Sequence, residues 1–211
     1  MAKKGIKPPK INEAEYIKVE ADEQWLHSKP GKDFYDDGLY RIVDFFVLHS
    51  PCKVSSYSPK TLESLGWANP WQSSRFRAAF DEIAGLNENN TFFYNESKNH
   101  LIENWNMLGK EVFFEVNGEY AVITHAGESN PRMDLIHHIR NSFAHGRFSV
   151  IRDHGEYYIF FEDVDTIKSL TGLYVTARMC FKKSTLLQWV DFFEIKTDKA
   201  KELYNTLHIK S

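Results

Sequence analysis

One segment constrains the fold more than any other, because it combines a helix and a hairpin whose boundaries are all marked in the sequence. Asn130-Pro131 supplies a capping residue and a proline suited to the first helical turn, and apolar residues then recur at helical spacing. Gly146 ends this pattern, since glycine accepts the left-handed conformation that commonly follows a helix. Residues 147–152 and 156–161 then flank Asp153-His154-Gly155, a typical hairpin turn. The segment therefore predicts an α+β fold.

Helical or strand periodicity marks most of the remaining chain, with proline or glycine at the boundaries. The predicted helices cover residues 33–49, 91–108, 184–195 and 197–208, and two more begin at Ser58-Pro59 and Asn69-Pro70. The other predicted elements are a hairpin centred on Asn117-Gly118 and a strand over residues 173–181. No repeat or low-complexity linker divides the chain. We therefore predict a single, predominantly helical α+β domain over residues 13–211, preceded by a mobile basic arm over residues 1–12.

Composition limits the class of protein. The 42% hydrophobic and 15% aromatic content is enough for a sizeable core. No stretch approaches the roughly 18 to 20 apolar residues of a membrane helix, so we expect no membrane association and a cytoplasmic location. Cys52 and Cys180 form no CxxC pair, which predicts reduced, buried thiols rather than a disulfide or a zinc site. The net charge of -3 argues against non-specific coating of nucleic acid and leaves only a local basic site.

The helix that begins at Pro131 carries three histidines on one face. The core side holds Leu135, Ile136, Ile139 and Phe143, and the opposite side holds Asp134, His137, His138, Asn141 and His145. A solvated helix face is one interpretation of this polar side. A metal site is a second, but His138 and His145 lie roughly 10 Å apart along the helix axis, which is too far to share one ion. We therefore predict no metal and no other cofactor.

The third interpretation assigns acid–base chemistry to His145. The negative end of the helix dipole favours an imidazolium in the last helical turn, and Arg140, five residues earlier, offers a guanidinium fork suited to phosphate oxygens. The helical wheel separates the two by about 140°, which suggests a shared cleft or a site completed by a second copy of the helix. Arg132 and Arg147 also precede histidines at similar spacing, so spacing alone does not select Arg140.

Residues 140–145 read R-N-S-F-A-H and resemble the RNxxxH form of the R-x(4 to 6)-H signature of the HEPN superfamily. In that family the motif lies at the C-terminal end of a helix with an apolar opposite face, commonly with Asn directly after the Arg. The succession of motif helix, hairpin and strand also resembles a stand-alone HEPN branch carried on plasmids and mobile elements. The resemblance covers roughly residues 33–208, of which residues 132–161 are distinctive. It implies a HEPN-like helical bundle with β-hairpin insertions after the motif helix.

The resemblance implies a metal-independent RNA endonuclease of the toxin or phage-defence kind, acting on single-stranded RNA as a symmetric homodimer with a composite site. His145 would act as acid or base on the ribose 2′-hydroxyl or the leaving 5′-oxygen, and Arg140 would stabilise the pentacovalent phosphate. Asn141 would hold the phosphate or orient His145. Such cleavage leaves a 2′,3′-cyclic phosphate. The alternatives are a non-catalytic HEPN module that binds RNA or a protein partner, and a structural helical dimer.

Three further residues are candidate RNA contacts, because the segment around the motif is locally basic: Arg147, His138 and Arg152. Ordinary outward-facing strand positions would also explain the two arginines. A toxin further implies an antitoxin or another regulator. In the HEPN toxins that a partner transferase silences by nucleotidylation, a Tyr lies two residues after the motif His, whereas this chain has Arg147. That form of control is therefore not predicted.

Overall fold

A computed structural model of the chain describes residues 32–51, 62–67, 70–87, 90–92, 118–123, 130–166 and 173–194. The helices are α1 (Asp37–Val43), α2 (Ser74–Ile83), α3 (Pro131–Ala144) and α4 (Lys183–Glu194), with a π-helical turn over Asp44–Leu48 and 3-10 turns over Lys32–Phe34 and Pro70–Gln72. The strands are β1 (Thr91–Phe92), β2 (Tyr120–Ile123), β3 (Phe148–Asp153), β4 (Glu156–Thr166) and β5 (Leu173–Lys182). The predicted α+β class is confirmed. None of the helices in these ranges is long and apolar enough to cross a membrane.

The strands form one sheet in the order β1-β2-β5-β4-β3, antiparallel except for the short edge pair β1 and β2, which is parallel. The predicted hairpin is confirmed as β3 and β4, which pair from Phe148 opposite Phe161 to Asp153 opposite Glu156. His154 and Gly155 between them both have positive φ, at 47° and 89°, the backbone that two-residue hairpin turns favour. Strand β4 continues well beyond the predicted end of the hairpin and pairs with β5 as far as Thr166.

The main hydrophobic core lies between the helices and one face of the sheet. Trp189 of α4 is fully buried there and contacts the rings of Phe46, Phe80 and Phe181. A smaller cluster around Phe160 and Cys180 occupies the other face of the sheet. Cys180 is a free, buried thiol, which confirms the prediction for this cysteine, and its burial raises the pKa of the thiol.

Several element boundaries differ from the prediction. Helix α2 begins at Ser74 rather than at Pro70, because Pro70 opens a 3-10 turn and the Ser73 hydroxyl caps the helix by accepting from Phe76 N at 3.2 Å. The predicted helix over residues 91–108 is wrong at its start, where Thr91–Phe92 pairs with β2 as a strand. The helix start at Ser58-Pro59, the turn residue Asn117, the helix over 197–208, Cys52 and the basic arm lie outside the described residues.

Candidate functional site around the motif helix

Helix α3 has the boundaries that its sequence predicts. The Asn130 side chain caps the N-terminus by accepting from Arg132 N at 2.9 Å, and Pro131 occupies the first turn. His145 is the C-terminal cap, and Gly146 follows with a φ of +67°. The predicted core side is confirmed, since Leu135, Ile136 and Ile139 are fully buried. The helix is therefore fixed on the sheet along its apolar side, which determines where its polar residues lie.

A chain of hydrogen bonds connects the polar side of α3 to strand β4. The Asp163 Oδ2 atom lies 2.7 Å from His138 Nδ1 and accepts from Asn141 Nδ2 at 3.1 Å. Asn141 Oδ1 in turn accepts from Arg140 Nη1 at 2.9 Å. Asp163 lies on the helix-facing side of β4, together with Ile159 and Phe161. The network therefore extends from a buried acid–histidine pair to the motif arginine, which is half-buried.

The interpretation of this polar side as a solvated face is wrong for its first two turns. Asp134 and His138 are only 1% and 5% exposed, and His138 lies against Asp163 of β4. Buried polar side chains need hydrogen-bond partners, and Asp163 supplies one to His138. The candidate role of His138 as a direct RNA contact does not fit this burial. His138 is instead part of the internal network beneath the helix.

Asn141 orients Arg140 rather than His145 in this structure. Its side-chain amide donates to Asp163 and its side-chain carbonyl accepts from Arg140. The backbone carbonyl of Asn141 accepts from His145 N at 2.9 Å, which is an ordinary contact at the end of a helix. The motif asparagine therefore acts on the motif arginine through its side chain.

Only one nitrogen of the Arg140 guanidinium has a hydrogen-bond partner among the residues that the structure describes. Nη1 is held by Asn141, whereas Nε is buried and has no hydrogen-bond partner among the described residues. A buried donor of a charged group is costly when it stays unpaired, and an arginine edge that presents Nε and Nη2 matches two oxygens of a phosphate or a carboxylate. Arg140 is thus oriented through Nη1, while its Nε is covered and unpaired within the described part of the chain.

His145 lies at the exposed end of α3. Its backbone N–H donates to Asn141 O and closes the helix, and the imidazole makes no hydrogen bond to any residue that the structure describes. Five residues of helix correspond to roughly 7.5 Å of axial rise and 140° of rotation from Arg140. The structure therefore leaves an accessible imidazole beyond the oriented arginine, on a different side of the helix.

Two other arginines that precede histidines at similar spacing are engaged in ion pairs. Arg132 contacts both carboxylate oxygens of Asp81 on α2, through Nε at 2.6 Å and through Nη2. Arg147 pairs with the fully buried Glu162 of β4, which also accepts from Arg178 Nε at 2.9 Å. Among the three arginines with such spacing, Arg140 is the one that no carboxylate of the described residues holds in an ion pair.

The candidate RNA contacts do not form one basic surface. Arg147 belongs to the buried ion pairs with Glu162, and only 13% of its side chain is exposed. Arg152 is exposed at the other end of β3, where it lies 3.2 Å from Asp33 and over the ring of Tyr157. Five residues of strand separate the two arginines, which corresponds to roughly 17 Å. They cannot contact the same phosphate.

No group of three or more His, Cys, Asp or Glu side chains in the described ranges converges as a set of metal ligands. Comparison of the chain with protein-family models, curated proteins and solved structures finds no match.

Gly146 provides a first test of how the end of the motif helix is held. A Cβ at this position would meet no atom within 4 Å, so the substitution Gly146→Ala tests the backbone conformation alone. We expect a loss of about 1–2 kcal/mol in the free energy of unfolding, because φ of +67° is unfavourable for alanine. Urea denaturation measures this. Gly85→Ala is the matched control, with φ of +65° and equally open surroundings. An unchanged midpoint for Gly146→Ala alone would show that the helix end does not need this conformation.

Proposed function

We propose that this chain is a metal-independent RNA endonuclease of the HEPN type, in which His145 is the acid–base residue and Arg140 binds the reacting phosphate. The observation that carries the proposal is the state of Arg140. Asn141 holds one nitrogen of its guanidinium, while its buried Nε has no protein partner within the described part of the chain. A phosphodiester that displaces the atoms covering Nε would satisfy that edge with two oxygens, which is the recognition that arginine performs best.

The chemistry needs two proton transfers and one stabilised charge. A neutral imidazole removes the proton of the ribose 2′-hydroxyl, and the 2′-oxygen attacks the adjacent phosphorus. Negative charge grows on the phosphate oxygens in the pentacovalent transition state, where the Arg140 guanidinium stabilises it. An imidazolium then donates a proton to the leaving 5′-oxygen, and a 2′,3′-cyclic phosphate remains. The reaction consumes no cofactor.

A symmetric homodimer supplies both imidazoles in this proposal. One copy of α3 carries a single motif histidine, and helix geometry directs it away from the arginine of the same chain by about 140°. Two motif helices that face each other across a cleft would place one His145 as base and the other as acid, with an Arg140 from each chain nearby. The exposure of His145 at the end of the helix is consistent with this arrangement.

The biological setting belongs to the same proposal. A cytoplasmic nuclease that cuts single-stranded RNA would act as a toxin or in defence against phage. It would need an antitoxin or another regulator to keep it inactive. The HEPN-like helical bundle, with the sheet as an insertion after α3, stays a prediction.

The test is to incubate purified protein with end-labelled single-stranded RNA in excess EDTA and to map the product termini. We expect cleavage that leaves cyclic phosphate ends, and a dimeric mass by light scattering at micromolar concentration. Arg140→Lys should reduce the rate about 100- to 1,000-fold, since an ammonium keeps the charge but cannot present two parallel donors. Tight RNA binding without cleavage by well-folded wild type would favour the non-catalytic HEPN module, and a monomer would contradict the composite site.

A further inference from the structure

We propose that Asp163 is a positioning residue of this site, which sets the orientation of the Arg140 guanidinium through the Asn141 amide. The inference rests on the proposed function, because it assumes that Arg140 is the group that binds phosphate. Asp163 lies 22 positions after Asn141 in the chain and on another element, so the motif alone does not reveal it.

Both oxygens of Asp163 accept hydrogen bonds. Oδ2 accepts from Asn141 Nδ2 at 3.1 Å and lies 2.7 Å from His138 Nδ1, while Oδ1 accepts from Val164 N at 3.0 Å. The residue is only 3% exposed. Asn141 Nδ2 and Val164 N thus donate one hydrogen bond to each oxygen, and His138 Nδ1 adds a third in the tautomer that carries its proton on that atom; a carboxylate with acceptor sites on both oxygens satisfies all of these contacts.

This carboxylate decides which way the Asn141 amide points. The two ends of an asparagine amide differ only in that one donates and the other accepts. With Asp163 as an obligate acceptor on one side, the NH2 end must face β4, so the carbonyl end must face Arg140. Arg140 Nη1 donates to that carbonyl at 2.9 Å. The orientation of the guanidinium therefore depends on the acceptor oxygen of a residue that does not touch it.

The fold marks the same position. The pairing of β4 with β5 is irregular between Asp163 and Val164, so the strand departs from regular spacing at this residue. Such irregularities commonly redirect a side chain near a functional site. Burial of a carboxylate beside a helix also carries a desolvation cost that an apolar residue at this position would avoid. A positioning role explains why the chain carries a carboxylate here.

The substitution Asp163→Asn separates this role from simple space filling, because it is isosteric and removes one acceptor. If its NH2 group faces Asn141, the Asn141 amide must flip and withdraw its carbonyl from Arg140. The other rotamer would press its NH2 group against the Val164 backbone N–H, which is fixed in the strand and cannot turn away, so the first arrangement is favoured. The reverse substitution Asn141→Asp places two carboxylates in contact. The double variant restores a donor facing an acceptor. The amide introduced at position 163 on β4 can donate to the carboxylate introduced at position 141 on α3, and that carboxylate can still accept from Arg140.

The experiment compares wild type, Asp163→Asn, Asn141→Asp and the double variant in RNA cleavage and in thermal unfolding. We expect each single variant to lose about 10- to 100-fold in kcat, because a misplacement of the order of 1 Å in a reacting group costs this much, and the double variant to regain most of it. Asp153→Asn on the exposed hairpin is the matched control and should cleave like wild type. Equal cleavage by wild type and a folded Asp163→Asn, or a double variant no better than the single ones, would overturn the inference.

A second readout keeps this inference separate from the proposed function. Rotation of the Arg140 guanidinium can be followed by nitrogen NMR, with its resonance assigned by its absence in Arg140→Lys. We expect slow rotation in wild type and in the double variant, and fast rotation in Asp163→Asn. Wild type that holds the guanidinium but does not cleave RNA would contradict the proposed function alone. Identical rotation in wild type and Asp163→Asn would contradict the positioning role even if RNA is cleaved.

Discussion

His145→Ala is expected to lower RNA cleavage by about 100- to 10,000-fold, the range that removal of a general acid or base produces. In the proposed dimer one substitution removes both imidazoles, so neither the base nor the acid remains. Hydrogen bonding within the site should survive, because Arg140, Asn141 and Asp163 form their network without the His145 side chain. The measurement is single-turnover cleavage of labelled RNA in EDTA, with RNA binding followed separately by anisotropy.

The same variant should fold normally. His145 is exposed, and its imidazole has no hydrogen-bond partner among the described residues, so its removal changes little packing. We expect a melting temperature close to that of wild type. His154→Asn is the matched control, since His154 is an exposed histidine on the hairpin turn and asparagine tolerates its positive φ. Full cleavage by His145→Ala would refute the acid–base role, and a large loss of stability would favour a structural role for the helix end.

The elements that could be predicted from sequence are those whose boundary signals are local. Helix α3 begins at an asparagine cap with a following proline and ends before a glycine at positive φ, and all of these residues act within one turn. The hairpin turn at His154 and Gly155 is equally local. For residues 91 and 92 the outcome depends on pairing with β2, which lies about thirty positions away in the chain. The apolar spacing in that segment does not reveal such pairing.

The motif residues could also be identified from sequence, but their partners could not. Arg140, Asn141 and His145 are recognisable by spacing and by position on the helix. Asp163 and Glu162 look like adjacent acidic residues in a strand, yet one faces α3 and the other contacts Arg147 and Arg178 on the opposite side of the sheet. Their roles depend on the register between β4 and its neighbours. A helical wheel places His138 on a polar face but cannot show that a strand covers that face.

Glu162→Gln is expected to cause the largest loss of stability among the substitutions considered, about 3–5 kcal/mol in the free energy of unfolding. Glu162 is fully buried and contacts both Arg147 and Arg178, whose side chains are 13% and 7% exposed. The substitution keeps the shape of the side chain but removes the negative charge that this residue places between two buried guanidinium groups. For a chain of this length such a loss corresponds to a fall in melting temperature of roughly 6–20 °C.

Glu194→Gln is the matched control for this prediction, because it makes the same chemical change at an exposed ion pair. Glu194 lies 3.1 Å from Arg41, and both side chains are more than a third exposed. Surface pairs contribute about 0–1 kcal/mol, so the control should unfold close to wild type in urea. Comparable small losses of unfolding free energy in both variants would show that the buried charge of Glu162 contributes no more to stability than an exposed one. A large loss in Glu162→Gln alone would show that the Glu162 carboxylate on β4 holds both Arg178 on β5 and Arg147, which lies immediately beyond the end of the motif helix.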